Sequence, residues 1–162
     1  MANFETIATA QRAEEPLPSG RLSIRHYQAI HHHLFQDVYD WAGKFRTVRL
    51  SKDESAFCYP ENIVRQMHVL FATLRGPKQL RGLSPDTFVI TAADFLSTLN
   101  AIHPFREGNG RTQMSFFALL AEQAGHPLAL ERLEPERFLS AMIRSFRGDV
   151  KPLATEIRRI LE

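Results

Sequence analysis

The side chains that could do chemistry are concentrated between His103 and Met114, in the stretch HPFREGNGRTQM. Its glycine-rich turn leads into an apolar run with helical spacing, and such a turn before a helix N-terminus is a site for anions. His103 can take a proton near neutral pH, Glu107 can hold Mg²⁺, and Arg111 can clamp a phosphate. The combination predicts nucleotide chemistry at a phosphate.

This stretch resembles the signature of Fic domains, H-x-F-x-[DE]-G-N-G-R-x-x-R. Seven of the eight specified positions match: His103, Phe105, Glu107, Gly108, Asn109, Gly110 and Arg111. The eighth differs, because Met114 stands where the signature has a second arginine. Similarity extends to LFQDVYDWAG at 34–43 and LNAI at 99–102, so that the resemblance covers about residues 21–147.

The resemblance implies a protein adenylyltransferase that moves AMP from Mg-ATP to a serine, threonine or tyrosine hydroxyl of a target protein. His103 would be the base that takes the hydroxyl proton, and a base with a pKa near 7 suits that role. Glu107 would hold Mg²⁺ between the α and β phosphates. Four residues of the turn would bind the phosphates of ATP: Gly108, Asn109, Gly110 and Arg111. Phe105 is expected to pack into the core and hold the loop.

Met114 leaves the activity open. In the family the second arginine grips the γ phosphate, and a charge-assisted hydrogen bond contributes about 1.5 to 3 kcal/mol. Its absence therefore predicts roughly 10- to 200-fold weaker use of ATP. Alternatively, Met114 only extends the apolar face of its helix beside Phe117 and Leu120, and another basic residue reaches the phosphates. Two other functions remain: a binding module with a decayed active site, and a phosphotransferase relative, which the intact Gly108–Gly110 turn disfavours.

Two protein partners follow from the resemblance. In Fic domains a hairpin flap pairs edge to edge with an extended segment of the target, which is β-augmentation; residues 48–58 are the candidates here. Many Fic proteins are inhibited by a helix with the motif [ST]-x-x-x-E-[GN]. No glutamate of this chain has serine or threonine four positions before it. An inhibitory helix would therefore belong to a separate antitoxin chain.

The elements that must position the signature are mostly helices. Apolar residues recur at spacings of three and four over seven ranges: 3–14, 24–40, 61–75, 85–102, 110–123, 135–146 and from 150 onward. Ser23 and Ser84 are the predicted N-caps, and Gly76-Pro77 is predicted to end the third helix. The fourth helix has the longest apolar content and is expected to be the central one, with Pro104 ending it just as His103 arrives.

A short hairpin is predicted between the second and third helices. Residues 45–50 and 56–59 alternate in polarity on either side of the polar turn 51–55. Together these patterns predict a mainly α fold, a Fic-type helical bundle with a short β-hairpin flap over the active site. We expect one domain over 1–162, with 1–20 as an N-terminal extension or short helix and 148–162 as a C-terminal helix.

Composition limits the partners and the compartment. The chain has 162 residues, of which 44% are hydrophobic, enough for one core. The net charge is only +2 and the basic residues are scattered among acids, which argues against a nucleic-acid surface. The single cysteine, Cys58, excludes an internal disulfide. There is neither a membrane-length apolar run nor a signal peptide, so a cytoplasmic location is expected. Effectors exported by contact-dependent secretion systems can also lack such a peptide.

Four histidines in the second predicted helix raise the question of a metal site: His26, His31, His32 and His33. Metal ligands on one helix need spacings of three or four, whereas three consecutive histidines point in three directions. We therefore interpret them as structural or surface residues.

Overall fold

Helices form most of the computed structural model, which describes residues 2–75 and 80–161. Within these ranges the helices are α1 (Ala2–Glu14), α2 (Ile24–Phe35), α3 (Ile63–Ala72), α4 (Pro85–Ile102), α5 (Asn109–Ala124), α6 (Pro135–Phe146) and α7 (Lys151–Arg159). The strands are β1 (Ser51–Lys52) and β2 (Ser55–Ala56), and short 3₁₀ helices cover Pro60–Asn62 and Leu130–Arg132. The predicted mainly α fold with a small hairpin is confirmed.

The central position predicted for α4 is also confirmed. This helix packs against α3, α5, α6 and α7, while α5 also contacts α2. Between them lies a core rich in aromatic rings. Phe116 of α5 is fully buried and its ring contacts those of Tyr27, Phe71 and Phe95. One side chain thereby joins α2, α3, α4 and α5 around the core.

Two serines start helices in the way the sequence predicts. The Ser23 hydroxyl accepts a hydrogen bond from the N–H of His26, and that of Ser84 accepts one from the N–H of Thr87. Each bond satisfies a donor that the first turn of a helix leaves without a backbone acceptor. Pro85 at the first helical position adds no further donor.

Two helices are shorter than predicted. Helix α2 ends at Phe35 rather than at residue 40, because the chain turns there: the N–H groups of Val38 and Tyr39 both bond to the Phe35 carbonyl. The turn lets Trp41 stack on Tyr39, with ring centroids 4.2 Å apart. Helix α3 ends at Ala72 rather than at residue 75. The predicted stop at Gly76-Pro77 lies outside the described residues.

The hairpin is shorter than predicted and centred differently. Three of its four strand residues were assigned by the pattern to the turn: Ser51 pairs with Ala56, which was predicted as strand, and Lys52 pairs with Ser55. Asp53 and Glu54 form the loop, both with positive φ, as a two-residue hairpin turn requires. Of the predicted strand residues on each side, the N–H of Phe57 still bonds to the Leu50 carbonyl. Farther from the turn the N–H groups bond at the end of α4 instead: that of Arg46 to Pro104, and that of Cys58 to Ala101. The end of α4 therefore competes with the strand ladder for these backbone groups.

Helix α1 packs on α2 and on the turn that follows it. Arg12 forms a paired contact with Asp37, with its Nε 2.6 Å and its Nη2 2.9 Å from the carboxylate oxygens. The Tyr39 hydroxyl donates to Glu5 at 2.6 Å. Among the described residues, no helix has the length and apolar character needed to cross a membrane.

Phe116→Ala tests the aromatic core. We expect a loss of about 3 to 5 kcal/mol in the free energy of unfolding, because the substitution leaves a cavity between four helices. Ile90→Ala is the matched control, since Ile90 lies on α4 but is 60% exposed; its effect should stay below about 0.5 kcal/mol. Urea unfolding followed by circular dichroism measures both, and equal losses would contradict the packing described.

Candidate active site

His103 is the residue at which helix α4 ends. Its backbone is left-handed, with φ 50° and ψ 64°, and its N–H bonds to the Leu99 carbonyl at 3.0 Å. The ring Nδ1 lies 3.2 Å from the Asn100 carbonyl. Since a carbonyl can only accept, Nδ1 carries the proton in this bond. In the neutral ring Nε2 then keeps its lone pair and can accept a proton.

The surroundings of His103 keep its imidazole neutral. Its ring stacks on Phe57, with centroids 3.9 Å apart and planes at 11°. Burial lowers the pKa of His103 to about 4; the bond to Asn100 opposes this, and the charges of Arg46 and Lys52 add to it. The structure thus departs from the expected pKa near 7. At neutral pH the imidazole is therefore unprotonated, and its basicity is weaker than the sequence suggested.

The loop after His103 is closed by the Asn109 side chain. Its Oδ1 accepts from the N–H of Phe105 at 3.0 Å, and its Nδ2 donates to the Phe105 carbonyl at 2.7 Å. Phe105 is fully buried, as expected. The Asn109 side chain is buried and holds the loop through both ends of its amide, while its backbone N–H lies in the first turn of α5 and remains available for a phosphate contact.

The two glycines of the signature have different surroundings. Gly108 has φ +83°, and a Cβ there would collide with the Phe35 ring, so only glycine fits. A Cβ on Gly110 would meet nothing within 4 Å. Helix α5 starts here, and the N–H groups of its first turn, at Asn109, Gly110 and Arg111, have no intrahelical acceptors. An open helix N-terminus with room above it fits a phosphate.

A cavity of about 640 Å³ lies against these residues. Polar residues on its wall include Lys52, Asn100, His103, Gly110, Arg111, Gln113 and Arg147. Apolar residues on its wall include Leu96, Met114, Phe138, Leu139, Met142, Ile143 and Phe146. The cavity can therefore hold a ligand with an anionic part and an apolar part, as a nucleotide has.

The hairpin borders the same cavity. Lys52, Asp53, Ser55 and Phe57 contribute to its wall, beside His103. The predicted position of the flap over the site is confirmed. Asp53 at the turn lies 4.0 Å from the guanidinium of Arg147 at the end of α6, so the hairpin tip and α6 approach each other across the cavity.

Met114 is half-buried, packs against the core and faces the cavity. Apolar side chains of α6 line the same cavity. The cations on the wall are Lys52, Arg111 and Arg147, and Arg111 lies one turn before Met114 on α5. Both interpretations of the substitution therefore stay predictions.

The signature contains one carboxylate that could hold Mg²⁺, that of Glu107, and this residue is not among those on the cavity wall. Glu107 is exposed on the loop that leads into α5. Among the described residues, no group of three or more His, Cys, Asp or Glu side chains could enclose a metal. That donor set fits Mg²⁺, which is commonly held by one or two carboxylates together with substrate phosphates and water.

His31 of α2 contacts the loop between α4 and α5. Its Nδ1 accepts from the N–H of Gly43 at 2.8 Å, so its Nε2 carries the proton and donates to the Glu107 carbonyl at 2.9 Å. The ring stacks on Phe105, with centroids 3.7 Å apart. Burial lowers the pKa of His31 to about 4, despite the bond to Glu107.

The other three histidines of this group also bind backbone groups: His26 contacts Leu22 and Pro18, His32 contacts Ala42, and His33 contacts Arg12. The structural interpretation of the four histidines is confirmed. The sequence pattern nevertheless did not reveal that His31 bonds to the signature loop.

Arg46 is the second residue that the sequence analysis did not single out. Its side chain is buried and donates from Nε to the His103 carbonyl at 2.7 Å. The sequence did contain a sign of this burial. In the alternating segment 45–50, Arg46 lies on the same face as the apolar residues Val48 and Leu50. An arginine in the apolar phase of such a segment is a candidate for an inward-pointing charge.

The sequence model of the Fic/DOC family matches residues 21–121, which include the cavity-facing end of α4, the loop and most of α5. The chain belongs to the Fic/DOC family. A probable protein adenylyltransferase of Sinorhizobium fredii is 53% identical over 159 residues, covering 98% of this chain and 83% of that protein. The protein adenylyltransferase VbhT of Bartonella schoenbuchensis is 39% identical over 143 residues. This match covers 88% of the present chain but only 30% of VbhT.

Solved Fic structures have the same architecture. The BepC effector of Bartonella tribocorum, determined with bound AMPPNP, superposes with a TM-score of 0.85 at 25% identity, covering 99% of this chain and 86% of BepC. The Fic domain of Bep8 from Bartonella sp. 1-1C gives a TM-score of 0.86 at 26% identity, covering 99% and 84% of the two chains. Because its curated relatives are protein adenylyltransferases, this Fic chain is an enzyme of the nucleotidyltransferase class.

The two low histidine pKa values predict a loss of stability in mild acid. His31 and His103 have folded pKa values of about 4, below the ordinary 6.5, so the unfolded chain binds more protons between these values. Their contribution to stability is therefore complete above pH 6.5 and is lost as the pH falls towards 4. We expect about 2 kcal/mol per imidazole between pH 7 and pH 5.

Urea unfolding at pH 7, 6 and 5 measures this loss. His103→Gln should reduce the slope of the unfolding free energy against pH. The exposed His68 supplies the control, since His68→Gln should leave the slope unchanged. A wild-type stability that is flat from pH 7 to 5 would contradict the burial of both rings.

Proposed function

We propose that this Fic chain transfers AMP from Mg-ATP to a serine, threonine or tyrosine hydroxyl of a target protein, with His103 as the base. One observation supports the proposal: His103, whose Nε2 is left with a lone pair, and the first residues of α5, Gly110 and Arg111, line the same cavity. A base and an anion site in one cavity are what nucleotidyl transfer to a hydroxyl needs.

In the proposed reaction the target hydroxyl oxygen attacks the α phosphorus. The bond from this phosphorus to the oxygen that bridges the α and β phosphates breaks, and pyrophosphate leaves with its electron pair. His103 Nε2 takes the hydroxyl proton. The N–H groups of Asn109 and Gly110 bind the phosphates, and the Arg111 guanidinium pairs with the β phosphate. Mg²⁺, held by Glu107, would neutralise charge between the α and β phosphates.

The target would bind along the hairpin, within residues 48–58. The hairpin supports this because it borders the cavity and, as a two-stranded sheet, leaves one edge of each strand without a partner strand. Such pairing would carry the target hydroxyl past Phe57 towards His103. A separate antitoxin chain is a further proposed partner, since the chain lacks the inhibitory motif. Isolation of the protein from its native host, alone and fully active, would contradict that partner.

The decisive experiment offers a cell lysate ATP labelled at the α or the γ phosphate. We expect label in protein from the α position alone, and none with His103→Ala, because the base is lost. His68→Ala is the control, since this exposed histidine lies on α3, outside the cavity. Label from the γ position alone would indicate phosphotransfer instead. No label from either position, with equal target binding by wild type and His103→Ala, would favour a binding module.

Met114 supplies a separate prediction. Met114→Arg adds a cation to the apolar side of the cavity and should improve the use of ATP by about 10- to 200-fold, measured as kcat/KM for ATP. Met114→Leu keeps the side chain apolar and should change kcat/KM little. If Met114→Arg also changes nothing, another basic residue already binds the terminal phosphate.

A further inference from the structure

We propose that Arg46 is a positioning residue, which holds His103 and the β1–β2 hairpin in one fixed arrangement so that a hydroxyl bound at the hairpin reaches the base. The proposal rests on the transfer reaction described above. It concerns a residue outside the signature and outside the cavity wall.

The guanidinium of Arg46 binds four backbone carbonyls. Its Nε donates to His103 at 2.7 Å, and its Nη2 donates to Ile102 at 3.1 Å. Both carbonyls belong to the end of α4. Its Nη1 donates to Val48 at 2.7 Å, and Nη2 also donates to Cys58 at 2.6 Å. These last two carbonyls belong to the two segments that lead into and out of the hairpin.

Backbone bonds close the same junction. The N–H of Arg46 bonds to the Pro104 carbonyl at 2.8 Å, and that of Cys58 bonds to the Ala101 carbonyl at 3.1 Å. Between them, the Phe57 ring stacks on the imidazole of His103. The base of the hairpin is thus joined to residues on both sides of His103, and the Arg46 side chain fills the space between them.

A contribution to stability does not by itself explain an arginine at position 46. Arg46 is only 4% exposed, and burial lowers the pKa of its guanidinium. No carboxylate is paired with it among the residues the structure describes. The partial negative charge of the α4 C-terminus offsets part of its charge. A buried charge without an ionic partner is costly, and apolar residues of similar volume often stabilise such a position better.

The geometry also requires arginine rather than any cation. The four carbonyls lie on different sides of a planar group, and they accept from Nε, Nη1 and Nη2. A lysine ammonium is a single point with three donors and cannot span these positions. Lysine at this position would keep the charge but lose some of the hydrogen bonds to the four carbonyls. Arg46→Lys therefore separates the charge of the side chain from its positioning role.

The junction matters because it holds the backbone of His103 in a left-handed conformation. A non-glycine residue in this conformation is strained and persists only where its surroundings hold it. The carbonyl of His103 is held by Arg46 Nε, and its N–H by the Leu99 carbonyl. Release of the first bond would let the imidazole move relative to the hairpin. A displacement of about 1 Å at a reacting group can reduce the rate about 100-fold.

The test compares Arg46→Lys with Arg65→Lys. Arg65 lies on α3, and its exposed side chain bonds to the Asn62 side chain. At saturating ATP labelled at the α phosphate, we expect Arg46→Lys to label lysate proteins about 100-fold more slowly. Its KM for ATP should change less than about twofold, since the phosphate-binding groups of α5 are untouched. Arg65→Lys should match the wild type in both.

Hydrogen exchange supplies a measurement independent of activity. We expect the amides of Phe57 and Cys58 to exchange at least about tenfold faster in Arg46→Lys, while those in the middle of α5 keep their rates. Equal acceleration throughout the chain would mean that Arg46 serves global stability alone, and would overturn the proposal. Unchanged exchange at the hairpin together with an unchanged labelling rate would also overturn it.

A measurement on the unmodified chain covers the case in which Arg46→Lys does not fold. The Arg46 Nε–H signal in a nitrogen-15 NMR spectrum should exchange slowly with water, because this group is buried and bonded to His103. The exposed Arg65 is the reference, and equally fast exchange of the two would overturn the proposal. If the wild type transfers no label from ATP, the transfer reaction fails and the catalytic part of this role fails with it. The exchange data would still decide whether Arg46 fastens the hairpin.

Discussion

The left-handed turn at His103 is the constraint on which the rest of the site depends. A right-handed helix cannot continue through it, so the imidazole stands at the end of α4 rather than on its side. The strain is on the order of 1 kcal/mol and must be offset by neighbouring contacts. Leu99 and Arg46 bond to the backbone of His103, and Asn109 closes the loop that follows. Only with this loop closed does α5 begin where its free N–H groups border the same cavity as the imidazole.

Helical periodicity was enough to predict most of the fold. Helices α4, α5 and α6 have the predicted ranges to within one residue, because their apolar spacing agrees with strong local signals such as Ser84, Pro85 and Gly125. The prediction failed where long-range contacts override local pattern. The spacing of α2 continues to Trp41, yet the chain leaves the helix at Phe35 and the tryptophan stacks on Tyr39. The hairpin shifted for the same reason, since its flanking segments bond to the end of α4, which no local pattern could reveal.

The candidate site divides in a similar way. The signature stretch from His103 to Arg111 was recognisable because its residues are adjacent in the chain, and the structure brings its two ends, His103 and Gly110 with Arg111, to the wall of one cavity. His31 and Arg46 lie far from it in sequence and contact it through backbone carbonyls. Every residue has a backbone carbonyl, so a contact to such an acceptor requires no particular residue type and produces no sequence motif. Asn109 illustrates the converse: its residue type was noted as a phosphate ligand, while its side chain closes the loop.

The electrostatics of the cavity connect these parts. Cations on or near its wall attract phosphates, but the charges of Arg46 and Lys52 also lower the pKa of His103 and weaken it as a base. A bound nucleotide would bring several negative charges into the same space, and an opposite charge nearby favours the protonated imidazole. Nucleotide binding should therefore raise the pKa of His103 from the value of the empty site. The imidazole would become a stronger base only when the donor is in place. In the proposed transfer the imidazole would stay neutral until it takes the hydroxyl proton, and the phosphates would then stabilise the imidazolium that forms.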